Sequence, residues 1–133
     1  MITILLVEQP EAVRRALYAR LSLEPDLAPI GEASDSTSAI GLAKALRPDV
    51  ILLDAEMPDL DLRRAVHELR LRSPSSAVVI VSHDPTALLW ALDAGAVTVV
   101  GKHQGIGALL GAIRTVSIPG HPRACVPDPT VRP

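Results

Sequence analysis

The sequence predicts an α/β fold in which a parallel sheet carries helices on both faces. Five short apolar runs alternate along the chain with five stretches whose apolar residues recur at helical spacing. The central run, Val-Ile-Leu-Leu before Asp54, is apolar throughout, which is typical of a strand buried on both faces. With right-handed crossovers, this alternation predicts one doubly wound (βα)5 domain, most simply in the flavodoxin-like strand order 2-1-3-4-5.

Composition narrows the class of protein. The chain has 133 residues, 48% of them hydrophobic and 21% charged, which suits one domain with a full core. A net charge of −2 gives no electrostatic footprint for nucleic acid, and no apolar run approaches the length of a membrane span. The single cysteine, Cys125, excludes an internal disulfide and favours a reducing compartment, so we expect a cytoplasmic protein. Because there is no Phe, the core must be aliphatic.

The first half of the chain gives three strands and two helices. Strands are predicted at 2–7, 27–33 and 50–54, the second of them at an edge because it is more polar. The first helix begins after Pro10, with inward residues Val13, Ala16, Leu17 and Leu21, and outward residues Arg14, Arg15 and Tyr18. Asp35 or Ser36 caps the second helix, whose inner face is Ala39, Leu42, Ala43 and Leu46.

The second half continues the alternation. Helices are predicted at 60–72, after the turn at 82–85 up to Ala94, and at 106–117, and strands at 77–81 and 97–100. The third helix buries Leu62, Ala65, Val66 and Leu69, and Gly95 ends the fourth. From residue 118 the composition shifts to proline-rich and aperiodic, so 1–117 is the predicted domain and 118–133 an irregular tail.

Polar residues stand at the carboxyl ends of four predicted strands: Glu8, Asp54, Ser82 and Lys102. In a doubly wound sheet these ends converge on one rim, where ligands bind. Two acids can hold Mg²⁺, one of them can be a nucleophile toward a phosphoryl group, and the hydroxyl and ammonium can bind its oxygens. The simpler alternative for Asp54 alone is that it caps the next helix.

The segments ILLVEQ, RPDVILLDAEMPDLD, VVIVSHD and LDAGAVTVVGK, in this order and spacing, resemble the receiver domain of bacterial two-component response regulators. The resemblance covers about residues 3–116. It implies a signalling protein, not an enzyme, that takes a phosphoryl group from a histidine kinase or another phosphodonor. The surrounding sequence is most similar to the subfamily that usually adds a helix-turn-helix domain. Only the short tail follows here, so the expectation is a stand-alone receiver.

Position by position, the resemblance implies a role for each rim residue. Asp54 matches the phosphoacceptor, and Glu8 matches the first of the two acids that hold Mg²⁺. Ser82 matches the switch hydroxyl that closes onto the phosphate. Lys102 matches the lysine that pairs with the phosphoryl oxygens.

The chain also departs from the family pattern. Gln9 stands in place of the second acid, so Mg²⁺ binding is expected but weakened, and Glu56 is a candidate replacement carboxylate from its spacing alone. Val99 replaces the switch aromatic, which rules out the usual coupling between hydroxyl and aromatic ring. Leu62 replaces a loop glycine, and His103-Gln104 follows Lys102 without the expected proline.

A protein-docking face is predicted on the fourth helix, fifth strand and fifth helix. Trp90 is expected to point toward water, and Gly107 and Gly111 occupy outward positions where charged residues are usual. Together with Val99 they define a smooth apolar face for a protein partner, such as a larger assembly. The alternative is a weak terminal helix in an otherwise stable domain.

Three functions follow from these observations. The first is a phosphorylated receiver, and the second is a pseudo-receiver that serves as a constitutive interaction module or accessory subunit. A flavodoxin-like small-molecule binder is disfavoured, because no glycine-rich phosphate loop follows the first strand and aromatic residues are nearly absent. A metal-dependent phosphatase would need an acid–base residue such as Asp59 or Asp61, and both are expected to cap the third helix instead.

Overall fold

The computed structural model describes residues 1–58, 60–96 and 98–118, and contains a five-stranded parallel sheet in the order β2-β1-β3-β4-β5. The strands are β1 (Ile2–Val7), β2 (Leu27–Ala33), β3 (Val50–Asp54), β4 (Ala77–Ser82) and β5 (Thr98–Gly101). The helices are α1 (Glu11–Ser22), α2 (Ser36–Leu46), α3 (Leu62–Arg72), α4 (Trp90–Asp93) and α5 (Gly105–Val116). The predicted fold class and strand order are confirmed. Apart from Ile118, the predicted tail lies outside the described residues.

Two aliphatic layers sandwich the sheet, because successive residues of each strand point to opposite faces. In β3, Ile51 and Leu53 join the layer that contains residues of α2, α3 and α4. The alternate residues Val50 and Leu52 join the layer under α1 and α5. All residues of β3 are buried, as the continuous apolar run predicted, and the strand delivers Asp54 to the rim.

Helix α1 packs on the core through Leu17 and Leu21, as predicted, but the inward predictions for Val13 and Ala16 were wrong. Val13 is 50% exposed and Ala16 is also exposed, whereas Tyr18 packs against the core beside Leu17. The Tyr18 hydroxyl donates a hydrogen bond to the Pro29 carbonyl of β2 at 2.9 Å, so its ring lies on the sheet edge while its polar end is satisfied. The predictions that Tyr18 and Arg14 point into water were therefore wrong. Each side chain instead lies against the protein and donates a hydrogen bond to a backbone carbonyl.

Arg14, near the carboxyl ends of the strands, is a second residue that was predicted to point outward but bonds other parts of the protein. Its guanidinium donates to the backbone carbonyls of Glu8 and Gln9 at 3.0 and 3.2 Å and to the Glu32 carboxylate at 3.0 Å. These bonds hold the loop after β1 against α1. The loop that carries Glu8 and Gln9 is therefore positioned by Arg14, although helical periodicity alone predicted that this side chain points into solvent.

The fourth helix is much shorter than predicted. A 3₁₀ turn at Thr86–Leu88 precedes the four residues of α4, and Gly95 follows with a φ of +114° that suits glycine. Leu89 is 57% exposed, while Trp90 is half-buried and packs against the core. The prediction that Trp90 faces water was wrong, because the change from 3₁₀ turn to helix rotates the residues away from one continuous helical face.

Helix starts follow the predicted capping chemistry. The Asp35 carboxylate accepts from the Ser38 backbone N–H at 2.7 Å, and the Asp61 carboxylate accepts from the Arg64 N–H at 3.1 Å. Helix α3 therefore begins at Leu62, two residues later than predicted.

Leu46, assigned to the inner face of α2, is 39% exposed because it lies at the helix end. Within the described residues, no helix has both the length and the apolar character needed to cross a bilayer.

Candidate functional site

The four polar strand ends meet at one rim of the sheet. Asp54 is the last residue of β3 and Ser82 the last of β4, while Glu8 and Lys102 directly follow β1 and β5. These strands lie side by side and parallel, so their carboxyl ends face the same edge. Their side chains are joined by the hydrogen bonds and charge interactions that follow. The spatial arrangement predicted from the sequence is therefore present.

Asp54 is the buried centre of this cluster, with only 4% of its surface exposed. Its Oδ1 accepts hydrogen bonds from Lys102 Nζ at 2.7 Å and from the Glu56 backbone N–H at 3.1 Å. Burial alone would lower the pKa of Lys102, but the bonds to Asp54 and Glu56 outweigh it and raise that pKa. The lysine therefore stays protonated beside the carboxylate.

Glu8 lies beside Asp54 and is 9% exposed. Burial, a hydrogen bond with Asp54 and the negative charge of Asp54 together raise the pKa of Glu8 to about 7. Two acids that share a site in this way hold fewer than two negative charges near neutral pH. A cation bound between them would favour the charged form of Glu8 and so oppose the part of the shift that the charge of Asp54 causes.

The Glu56 carboxylate accepts hydrogen bonds from three donors at the rim. Its Oε2 accepts from Ser82 Oγ at 2.8 Å, and its Oε1 accepts from the His83 backbone N–H at 3.0 Å. Lys102 Nζ lies 3.0 Å from the same Oε1. Burial would raise the pKa of Glu56, but the hydrogen bonds from Lys102, Ser82 and His83 outweigh it and lower that pKa. Glu56 is therefore a charged acceptor in this arrangement.

Two carboxyl groups at the rim are of the kind that hold Mg²⁺, and the expected weakening of Mg²⁺ binding stays a prediction. Glu8 and Asp54 supply two adjacent carboxyl groups, and Mg²⁺ is commonly held by one or two carboxylates with water completing the shell. Among the described residues, no three His, Cys, Asp or Glu side chains are grouped so that they could hold a metal ion. Glu56 faces Ser82 and Lys102, and its role as a replacement metal ligand stays a prediction.

A cavity of about 630 Å³ opens beside the acids and the lysine, between α1 and α5. Its polar end includes Glu8, Asp54 and Lys102, and its walls include the aliphatic side chains Val13, Leu17, Ile106 and Leu109. The exposure of Val13, unexpected from the helical pattern, is explained by its position on this cavity. A small molecule or a side chain of another protein therefore has space to reach the acids and the lysine from this side.

Other predicted residues lie outside the cluster. Trp90 packs on the core beneath Arg63, whose guanidinium carbon is 4.3 Å from the ring centroid. Val99 is half-buried in β5, and Gly107 and Gly111 are exposed on α5. A Cβ atom added at either glycine would meet no atom of another part of the protein within 4 Å. The docking role of this face stays a prediction.

Sequence reasoning missed two contributors at the rim. The His83 backbone N–H has no side-chain signature, and only the SHD turn after β4 marks its position. Gln104 accepts a hydrogen bond at its Oε1 from the Gly101 N–H at 2.7 Å. This bond fixes the turn after β5 that presents Lys102, in the segment where the expected proline is absent.

Comparison with known proteins identifies the family. The family model described as "Response regulator receiver domain" matches residues 4–114. A "Protein-glutamate methylesterase/protein-glutamine glutaminase 3" of Anaeromyxobacter dehalogenans is 36% identical over 111 residues, which cover 81% of this chain and 32% of that protein. "Transcriptional regulatory protein LiaR" of Bacillus subtilis is 35% identical over 119 residues, covering 88% of this chain and 56% of LiaR. The chain thus spans about a third of the length of the first relative and just over half of the second.

Solved structures agree with this assignment. The response regulator domain of Thermotoga maritima CheB superimposes with a TM-score of 0.79 at 29% identity, over 88% of this chain and 96% of that one. A LuxR-family response regulator from Aurantimonas sp. SI85-9A1 has a TM-score of 0.81 at 24% identity, over 88% and 85%, and supports the fold alone. With five parallel strands in the order 2-1-3-4-5 and a family match over 111 residues, the chain belongs to the response regulator receiver domain family.

Proposed function

We propose that the protein is a signalling receiver that accepts a phosphoryl group on Asp54 from a histidine kinase or another phosphodonor. The observation that carries this proposal is the environment of Asp54. Its buried carboxylate is 2.7 Å from Lys102 Nζ, with Ser82 and Glu8 in the same cluster. A buried carboxylate held by an ammonium, beside an open cavity, is suited to nucleophilic attack on a phosphoryl group.

The transfer is a simple displacement. A carboxylate oxygen of Asp54 forms a bond to phosphorus while the bond from phosphorus to the donor nitrogen breaks. The donor imidazole leaves with the electron pair of that bond and takes up a proton. Lys102 offers its ammonium to the phosphoryl oxygens, and the Ser82 hydroxyl is available to donate to them.

Glu8 and Asp54 are the residues that would hold Mg²⁺ in this reaction. The metal ion, when bound, neutralises negative charge on the carboxylates and the phosphoryl oxygens. Gln9 supplies no charge, so we expect the protein to require more Mg²⁺ than a receiver with a second acid at this position. Glu8 keeps its carboxyl group at the rim because the loop after β1 is bonded to Arg14.

Incubation with Mg²⁺ and acetyl phosphate or phosphoramidate is expected to add the mass of one phosphoryl group to the wild-type protein. Asp54→Asn should abolish this increment, because the amide is not a nucleophile toward phosphorus. Asp93→Asn, which changes an exposed aspartate of α4, is the matched control and should leave the increment unchanged. Intact-protein mass spectrometry over a range of Mg²⁺ concentrations measures the result. An increment that persists in Asp54→Asn would contradict the proposal.

We also propose that α5 and β5 form the docking face of the signalling output. Gly107 and Gly111 place no side chain at two exposed positions of α5, and the space where a Cβ would lie is open at both. A partner can therefore approach the helix backbone closely. Trp90 contributes only its partly exposed side to this surface, because its ring is packed beneath Arg63.

Gly111→Glu is expected to weaken binding of an α5 partner at least about tenfold, because it places an unpaired carboxylate in the contact. Gly111→Ala is the matched control. Each glycine in a helix costs about 1 kcal/mol relative to alanine, so neither substitution should lower stability. Pull-down from native cell extract, with quantitative mass spectrometry of the captured proteins, measures the effect. Equal capture by wild type and Gly111→Glu would rule out this face.

The second candidate function is a pseudo-receiver that acts as a constitutive interaction module. Two observations favour it: Gln9 removes one metal-binding charge, and Glu56 already bonds the hydroxyl and ammonium that the phosphoryl oxygens need. Absence of any phosphoryl increment at every Mg²⁺ concentration, together with partner binding that Asp54→Asn does not change, would favour this function.

A further inference from the structure

The carboxylate of Glu56 is surrounded by donors from two other segments. The Ser82 hydroxyl binds Oε2 at 2.8 Å, and the His83 backbone N–H binds Oε1 at 3.0 Å. Lys102 Nζ is 3.0 Å from Oε1 while also bonding Asp54 at 2.7 Å. The three donors belong to the ends of β4 and β5, and they converge on one anionic group beside Asp54.

This donor set is chemically suited to an oxyanion. A hydroxyl, a backbone N–H and an ammonium are the groups that bind phosphate or sulfate oxygens in proteins. A carboxylate offers two anionic oxygens to the same donors. The contacts of Glu56 therefore satisfy the groups that would otherwise be free to bind a phosphoryl group on Asp54.

We propose that Glu56 is a built-in occupant of the phosphoryl-oxygen site formed by Ser82 Oγ, the His83 N–H and Lys102 Nζ. The biological consequence of this inference rests on the proposed function. If Asp54 is phosphorylated, the phosphoryl group must displace the Glu56 carboxylate from these donors. Glu56 thereby sets how readily the site accepts a phosphoryl group. The donors remain paired in the unphosphorylated protein.

The position of Glu56 allows this displacement. Its side chain is 37% exposed, whereas that of Asp54 is 5% exposed, so the glutamate lies at the outer side of the cluster. It belongs to the loop between β3 and α3, outside any helix or strand. Its backbone N–H bonds Asp54 Oδ1 independently of the side chain. The carboxylate can therefore move into solvent while the backbone continues to support Asp54.

Sulfate binding in the Asp54→Asn background tests the occupancy without any phosphoryl transfer. Sulfate is titrated without divalent cations, and the backbone amide signal of His83 is followed by ¹⁵N-correlated NMR. Removing the occupant in Asp54→Asn/Glu56→Ala is expected to tighten sulfate binding at least about tenfold relative to Asp54→Asn alone. Asp54→Asn/Glu68→Ala is the matched control, because it removes the same charge from a glutamate of α3 that pairs with Arg72.

A third substitution, Lys102→Ala, in the Asp54→Asn/Glu56→Ala protein checks where the sulfate binds. This triple variant should lose the increase in sulfate affinity that Glu56→Ala produced. Equal sulfate affinity with and without Glu56, including no binding in either chain, would overturn the inference. An equal gain in the Glu68→Ala control would also overturn it, because the effect would then be one of net charge.

A second measurement separates this inference from the proposed function. Beryllium fluoride with Mg²⁺ forms a phosphoryl-like adduct on a receptive aspartate, and Glu56→Ala should lower the concentration needed at Asp54. If Glu56→Ala tightens sulfate binding but neither wild type nor Glu56→Ala forms the adduct, the occupancy stands and the phosphoacceptor role fails. If adducts form at equal concentrations in both chains and sulfate affinity is unchanged, the phosphoacceptor role stands and the occupancy fails.

Discussion

Glu8→Gln is expected to remove most of the loss of stability that the wild-type protein shows as the pH rises from about 4.5 to about 7. The ordinary pKa of 4.5 applies to Glu8 in the unfolded chain, and burial beside Asp54 raises it to about 7 in the folded protein. Between these values the folded state binds more protons than the unfolded state, so stability falls with rising pH and levels off above 7. The shift corresponds to a loss of up to about 3 kcal/mol.

Urea unfolding measured across this pH range, without divalent cations, checks the expectation. The glutamine cannot ionise, so the Glu8→Gln protein should show a flatter profile and greater stability at pH 8. Glu68→Gln, which changes a glutamate paired with Arg72 on α3, is the matched control and should retain the wild-type slope. A wild-type stability that rises between pH 5 and pH 7 would contradict the assigned environment of Glu8.

The same urea unfolding experiment, repeated with Mg²⁺, tests where the metal ion binds. A cation that binds only the folded state stabilises it by an amount that grows with the logarithm of its concentration once that concentration exceeds its dissociation constant. Because Glu8 and Asp54 are the proposed ligands, Mg²⁺ should stabilise the wild-type protein at pH 8 and have a smaller effect on Glu8→Gln. Equal stabilisation of both proteins would place the metal elsewhere.

Ile80→Ala is expected to lower the free energy of unfolding by about 2–5 kcal/mol, a large part of the total for a domain of this size. Ile80 is fully buried in β4 and belongs to the layer that contains residues of α2, α3 and α4. Its neighbours are aliphatic residues held by strand pairing, so they cannot collapse fully into the space left by the deleted atoms. The measurement is chemical unfolding with a full denaturant curve.

The matched control is Leu71→Ala, because Leu71 is 60% exposed at the end of α3 and its truncation should change stability by less than about 0.5 kcal/mol. Ile80→Val should lie between them, at about 0.5–1.5 kcal/mol. A loss below about 1 kcal/mol for Ile80→Ala would mean that this layer is loosely packed.

The strands were predictable because burial on both faces of a parallel sheet requires continuous apolar sequence, as in the run before Asp54. The long, regular helix α3 was predictable for the related reason that Ala65, Val66 and Leu69 recur at helical spacing and are buried. The length of the fourth helix was not predictable, because its residues divide between a 3₁₀ turn and α4. Its apolar residues fitted a single longer helix equally well.

The roles of single side chains depended on three-dimensional contacts. Tyr18 and Arg14 occupy positions that periodicity assigns to solvent, yet each bonds backbone carbonyls of a neighbouring segment. Glu56 gave only a spacing argument for metal binding, whereas its carboxylate bonds Ser82, His83 and Lys102. Such partners lie outside the helix or loop that carries the side chain, whether near in sequence, as for Arg14, or far, as for Glu56, so local periodicity carries no signal for them.

The sequence by itself determined the alternation of strands and helices, the sheet order and the meeting of Glu8, Asp54, Ser82 and Lys102, because apolar periodicity and crossover handedness constrain topology strongly. Only the tertiary structure decided that Glu8 and Asp54 share a buried site and that Glu56 occupies the donors beside them. The physical reason is that pKa values and hydrogen-bond partners are set by distances of a few ångströms between segments, and chain order does not encode those distances directly.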